Sequence, residues 1–250
     1  MEDLVFALAL FVPLSFIGAT VYGITGFGAA MLTMPVALHF VPLPYALAVF
    51  SLVDVLTALR VGLENPREAV VAEVVRIVPS AAVGILVGVT VLVALPRAGA
   101  MVAMGSFISL YAVYSLVQGG KLGTISRRWV YLSGFGGGVT GTLFGAGGPP
   151  YAIYMSLRPY TKAQFRATLT MTSIFSIAMR VTAFGITGLY AQENVFPVAA
   201  ASIPAALLGT VVASKIFRVI SREVLLRAVG VMLLATGASL LWRAMHLPPG

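Results

Sequence analysis

Apolar and polar positions alternate along this chain in long blocks rather than residue by residue. Apolar segments run at about 4–22, 29–41, 43–60, 77–95, 98–117, 129–146, 149–158, 166–187, 196–217 and 224–245. Polar breaks separate them at Val61–Glu68, Pro96-Arg97, Gln118–Arg128, Arg158–Arg166, Ile186–Asn194 and Arg218–Glu223. Segments of this length and uniformity predict helices that cross a bilayer. The segments at 29–41 and 149–158 are too short to do so. Residues 69–76, with Glu73 and Arg76 one helical turn apart, read as an interfacial lead-in to a helix opened by Pro79.

Each short segment begins within a glycine-rich motif that ends in proline. The first break is Gly23-Ile-Thr-Gly-Phe-Gly-Ala-Ala-Met-Leu-Thr-Met-Pro35, and the second is Gly141-Thr-Leu-Phe-Gly-Ala-Gly-Gly-Pro-Pro150. In hydrocarbon, irregular backbone leaves amides and carbonyls unpaired, so it persists only inside protein or beside a water-filled cavity. A matched pair of Gly/Pro-interrupted segments, one in each half, points to a transporter's substrate site.

Composition supports the membrane reading. Of 250 residues, 59% are hydrophobic and 10% charged, and the mean hydropathy is +0.99. Too few charges exist to coat a soluble core of this size. The net charge of +8 would suggest nucleic acid in a soluble domain, but here the basic residues sit between apolar segments and act as orientation signals; no nucleic-acid partner is expected. The absence of cysteine excludes disulfides and thiol chemistry. Two isolated histidines, His39 and His246, cannot make a metal site, and His39 is expected at an interface. Trp129, Tyr131 and Trp242 fall where belt aromatics sit. Met1-Glu2-Asp3 lacks the basic start of a signal peptide, so the first segment is expected to remain.

The halves resemble each other. An offset of 119 lays Gly26 and Gly28 on Gly145 and Gly147; an offset of 125 lays Pro79 on Pro204, Gly84 on Gly209 and Arg97 on Arg222. Thirteen of the sixteen Lys/Arg fall in or beside four connections. Placing those four in the cytoplasm puts both termini and the Lys/Arg-free Leu189–Val195 connection outside. Each half then makes a hairpin plus three spans, an odd number of crossings, so the halves are inverted. The expected fold is an all-α polytopic membrane protein of two inverted repeats. Residues 1–120 hold hairpin 4–41 and helices 43–60, 77–95 and 98–117; residues 121–250 hold hairpin 129–158 and helices 166–187, 196–217 and 224–245.

At each break a restarting helix directs free N–H groups and about half a positive charge at whatever lies before it. Two such ends meeting near the midplane would bind an anion, with Thr25, Thr140 and Thr142 as hydroxyl donors. Close packing of small residues accounts for scattered glycines such as Gly84 and Gly88, but less well for Gly136–Gly138 and Gly145–Pro150. Gly136-Gly-Gly-Val-Thr-Gly141 matches GxGxxG formally, yet it lacks the strand that fingerprint requires. Asp54 and Arg180 lie deep within spans, where a charge needs a cavity or a partner. Arg180 is a candidate anion ligand or gate, and Asp54 a coupling or gating group or a structural ion-pair partner. Arg158, Lys162 and Arg166 read as cytoplasmic orientation charges or as an anion-attracting vestibule. The expected substrate-binding set is Thr25, Gly26, Phe27, Gly28, Thr142, Gly145, Gly147, Gly148 and Arg180. No catalytic residue, metal site or cofactor is expected.

The two motifs, Gly23-Ile-Thr-Gly-Phe-Gly…Pro35 and Gly141-Thr-Leu-Phe-Gly-Ala-Gly-Gly-Pro-Pro150, resemble the paired signatures of the TauE/SafE sulfite exporter family. The similarity extends over nearly the whole chain, although Gly26-Phe-Gly-Ala-Ala30 stands where a richer glycine run is common. The resemblance implies transport of small sulfur-containing anions, such as sulfite or organosulfonates, or of small carboxylates, across the inner (plasma) membrane. A secondary transporter working by alternating access is the expected function, with an anion channel as the alternative. A membrane enzyme is disfavoured, since no Ser/His, paired-Asp or HExxH set occurs. The partners in view are the small anion, a coupling proton or Na⁺, the lipid bilayer and a second copy of the chain.

Overall fold

The computed structural model describes residues 2–94, 97–118 and 125–219, together with residues 231, 234, 235, 237–239, 241, 242 and 245. The described residues are all-helical: α1 (Glu2–Thr25), α2 (Ala29–Ala37), α3 (Leu43–Gly62), α4 (Val71–Ala94), α5 (Arg97–Gln118), α6 (Trp129–Phe144), α7 (Gly148–Ser156), α8 (Lys162–Ile186) and α9 (Val195–Val219), with short 3-10 turns at Pro66–Glu68 and Leu189–Ala191. The expected helix at 224–245 lies largely outside them. Helices α1, α3, α4, α8 and α9 contain stretches long and apolar enough to cross a membrane. Their outer faces carry large apolar side chains such as Leu86, Phe175 and Leu208, as lipid contact requires. The chain is a multi-pass membrane protein.

Helix α6 has 16 residues and α2 and α7 have nine each, short of the roughly 20 that a crossing needs. Both hairpins turn back. Phe40, just past α2, packs against Phe6 near the start of α1, with ring centroids 5.9 Å apart. The Arg158 Nη1, just past α7, donates to the Ile125 carbonyl just before α6 at 3.1 Å. Their tips therefore lie inside the protein.

One boundary differs from expectation. Helix α4 begins at Val71 and runs through Pro79; the proline does not open it. Glu73, expected at an interface, is fully buried. It accepts hydrogen bonds from the Tyr154 and Tyr160 hydroxyls, both at 2.9 Å, with Arg127 at 3.6 Å and Arg76 at 4.0 Å. Those partners hold the first turn of α4 in place, so the helix starts before the proline. In apolar surroundings the amides beside Pro79 have no alternative to helical bonding. Helix α8 opens on a capping box between Thr161 and Gln164.

Helix α1 lies along α9 and α4 along α6, and both pairs close on glycine. A Cβ at Gly84 would overlap the Phe135 carbonyl oxygen, and one at Gly209 would overlap that of Phe16. Phe16 and Phe135 are related by the same offset of 119 as the motifs, and Gly84 and Gly209 by 125. Gly88 meets Thr142, and Ala213 meets Gly23, a further pair at those offsets. Helices α3 and α8 run antiparallel, since Asp54 faces Arg180 whereas Glu64 faces Arg166.

Candidate functional site: a cavity between two broken helices

Helix α1 stops at Thr25 because the chain turns left-handed twice, at Gly26 (φ 82°) and Gly28 (φ 91°), a conformation costly for any residue with a Cβ. The Thr25 hydroxyl is used up in making that turn. It accepts the Phe27 N–H at 3.1 Å, donates to the Val21 carbonyl at 2.8 Å and also contacts the Phe27 carbonyl. The second break turns left-handed at Gly145 (φ 69°). There the Thr140 hydroxyl lies 2.9 Å from the Gly136 carbonyl and 3.0 Å from that of Ala146. No side chain caps the start of α2 or of α7.

The two breaks touch. A Cβ at Gly148 would overlap that of Phe27, and Phe27 stacks edge-on to Tyr111. Beside this contact lies a cavity of about 40 Å³. Gly28, Ala29 and Ala30 line it from the start of α2, Gly147 and Gly148 from the start of α7, and Gly141, Gly145 and Tyr151 close by. Tyr22 and Phe27 of the first hairpin, Asp54 of α3, and Ser173, Ser176, Ile177 and Arg180 of α8 complete the wall. Water-sized occupancy takes roughly 10–15 Å³ of such space, so the cavity holds an occupant of a few heavy atoms.

Arg180 is the structural centre of this wall. It is buried, at 4% exposed. Its Nη1 donates to the Gly141 carbonyl at 2.6 Å and its Nη2 to Asp54 Oδ2 at 3.2 Å. Its Nε is buried without a partner. The Tyr151 hydroxyl lies 3.2 Å from Ser176 Oγ. Toward the N-terminal end of α8, Arg166 repeats the pattern. Its Nε donates to the Gly23 carbonyl at 2.8 Å, its Nη2 pairs with Glu64 Oε2 at 3.0 Å, and its guanidinium lies over the Phe217 ring at 4.5 Å. Ser214 donates to Glu64 as well. Each hairpin's first helix thus has a C-terminal carbonyl capped by an arginine of α8, and each arginine is paired with an acid of, or just past, α3.

Of the residues expected from the sequence, Phe27, Gly28, Gly145, Gly147, Gly148, Arg180 and Asp54 line the cavity. Thr25, Gly26 and Thr142 stand behind it. Gly26 packs on the Arg166 backbone, and the Thr142 hydroxyl is satisfied by the Gly138 carbonyl at 2.9 Å. Arg166 is a buried, paired residue rather than a free vestibule charge. Tyr22, Tyr151, Ser173 and Ser176 escaped the sequence reading. The spacing of Ser173, Ser176 and Arg180 places them on one stripe of an otherwise apolar helix, a signal that could have found them. No group of three or more His, Asp or Glu is placed to hold a metal among the described residues.

Comparison with known proteins agrees with this architecture. The profile of the family described as sulfite exporter TauE/SafE matches residues 11–240. The chain is 26% identical over 196 residues to the "Probable inner membrane transporter protein TsaS" of Comamonas testosteroni, covering 77% of this chain and 82% of that protein. No solved structure matches. The profile spans both broken hairpins and the helices that bring them together, and the chain belongs to the sulfite exporter TauE/SafE family, whose members are membrane transporters and not enzymes.

Proposed function

We propose that this protein is a secondary transporter of small sulfur-containing anions, sulfite or organosulfonates, that holds its substrate between the two broken helices and moves it by alternating access. The observation that carries this reading is the single cavity lined by the starts of α2 and α7 together with Arg180. Backbone N–H groups at helix starts suit oxyanions, and a guanidinium offers a planar pair of donors. The family profile and the transporter relative support the substrate class. An anion entering the cavity competes with Asp54 for Arg180. Protonation of Asp54 would release the guanidinium and couple uptake of a proton to binding.

Two inverted repeats, residues 1–120 and 121–250, fit the reciprocal packing of α1 on α9 and α4 on α6, the equivalent glycine contacts, and the antiparallel run of α3 and α8. The basic connections then face the cytoplasm, and both termini lie outside the inner membrane. Cysteines introduced singly at Glu68 and Gln192 should label from opposite sides in this naturally cysteine-free chain. Labelling from one side would end the inverted arrangement.

The transport reading is tested by flux into proteoliposomes against sulfite, organosulfonates and small carboxylates, with and without pH and Na⁺ gradients. Saturable uptake with counterflow is expected for a sulfur anion. Non-saturating conductance would make the protein a channel, and uptake of carboxylates alone would move the substrate class.

A further inference from the structure

We infer that Tyr22 is a specificity-determining residue, and that the cavity selects a small monoanion over a dianion of the same shape. The inference rests on the transport reading above. Tyr22 lies in the last turn of α1, immediately before the first motif, and lines the cavity. It is 7% exposed, and its hydroxyl is buried with no partner at hydrogen-bond distance, its neighbour being the Ser173 hydroxyl on the same cavity wall. The Arg180 Nε, also on the cavity wall, is a second buried donor without a partner. Buried polar groups are nearly always paired. Two unpaired donors from side chains lining one small cavity are what an absent hydrogen-bond acceptor would satisfy.

The charge of the wall limits that acceptor. Among the described residues, Asp54 and Arg180 are the charged side chains lining the cavity, and they pair with each other at 3.2 Å. The carbonyl ends of α1 and α6 at the same tips are taken up by Arg166 and Arg180. What remains facing the occupant is the partial positive charge at the starts of α2 and α7. Pro149 and Pro150 remove two of the four free donors from the first turn of α7. Partial charges and neutral hydroxyls can offset the desolvation of one negative charge. A second would need a full counter-charge, which the wall does not offer while Asp54 holds Arg180. Tyr22 is therefore worth more to this site than a further arginine would be: it donates without raising the charge.

Methanesulfonate and sulfate separate the terms, being tetrahedral oxyanions of similar size that differ in charge. Their dissociation constants would be measured by calorimetry on purified wild-type protein, Tyr22→Phe and Asp54→Asn, with thermal stability recorded for each. Wild type is expected to bind methanesulfonate at least about tenfold more tightly than sulfate. Tyr22→Phe should weaken methanesulfonate binding by about tenfold or more at an unchanged or raised Tm, because the hydroxyl it removes has no partner to lose. A tyrosine needed only for packing would leave affinity untouched, and that result overturns its assignment. Asp54→Asn frees a positive charge and should narrow the gap for sulfate. Equal wild-type affinities for the two anions overturn the charge selection. If wild type binds neither anion and transports none of the sulfur anions or carboxylates, the transport reading falls and takes this inference with it; transport that persists with Tyr22→Phe flux unchanged removes Tyr22 alone.

Discussion

The two broken hairpins do the same geometric task by different means. They differ most at the glycine just before each restarting helix, which in the first hairpin is open in space but demanding in backbone. Gly28 has φ 91°, yet a Cβ there would meet only the Val21 side chain, at 3.9 Å. In the second, Gly147 has an ordinary φ of −72°, but a Cβ would lie 2.7 Å from the Gly137 carbonyl. The first hairpin lines the cavity with Gly28, Ala29 and Ala30 at the start of α2, with no proline among them. The second gives up two donors to Pro149 and Pro150 and packs its glycines against α4 and its own returning helix. One hairpin is thus built to donate and the other to hold. The difference teaches that a duplicated motif can divide binding and rigidity between its copies.

The sharpest way to break the comparison is Arg180, which ties the second hairpin to α3 and the cavity. Arg180→Gln should abolish anion binding and destabilise the protein by about 2–4 kcal/mol, because Asp54, half-buried in the cavity wall, is left without its partner. Adding Asp54→Asn should recover most of the Tm without recovering binding. Full binding in Arg180→Gln would take the arginine out of the site.

Next in size are the two glycines. Gly147→Ala should lower stability by about 1–3 kcal/mol through overpacking against the Gly137 carbonyl, with binding lost alongside. Gly28→Ala should cost about 1–2 kcal/mol in left-handed strain. Its loss of affinity should then exceed what its loss of Tm accounts for. Equal effects on stability and affinity in both variants would erase the division of labour.

The turn hydroxyls come third. Thr25→Val and Thr140→Val each remove a hydroxyl that ties a break together, and each should cost about 1–2 kcal/mol with affinity lowered only through the turn.

Smallest is Tyr160, which with Tyr154 fastens the second hairpin to Glu73. Burial, and then the hydrogen bond to Glu73, hold the Tyr160 hydroxyl above its ordinary pKa. Its raised folded value means that its contribution is complete below the ordinary tyrosine pKa of about 10 and is lost as pH rises through the folded value. Tyr160→Phe should therefore cost about 1 kcal/mol near neutral pH and flatten the alkaline end of the stability profile, measured as Tm against pH. An unchanged alkaline limb would place that sensitivity elsewhere.

Much of this was legible in the residues. Among the described residues, the apolar blocks other than 77–95 predicted the helices to within a few positions, and the glycine-proline motifs marked both breaks. Asp54 and Arg180 stood out because charges in apolar spans need an explanation. Pro79 misled, since proline opens helices in water more readily than in hydrocarbon. Tyr22 and Tyr151 were passed over because an aromatic in an apolar span looks like any other core residue. Glu73 and Arg166 read as surface charges from sequence, yet Glu73 is enclosed by Tyr154 and Tyr160, and Arg166 by Gly23, Glu64 and Phe217.

By itself the sequence determined the solvent this chain requires, the places where its helices stop, and which charges had to find partners, because these depend on the transfer cost of single residues and on local backbone preference. Tertiary structure alone decided that Asp54 meets Arg180, that Glu64 meets Arg166, and that Thr25 and Thr142 turn away from the cavity while Tyr22 and Ser173 line it. Those outcomes depend on how α3 and α8 register against each other across more than a hundred residues of chain. Direct contacts set that register: Gly62 of α3 closes on Ile174 of α8, Asp54 pairs with Arg180 and Glu64 with Arg166.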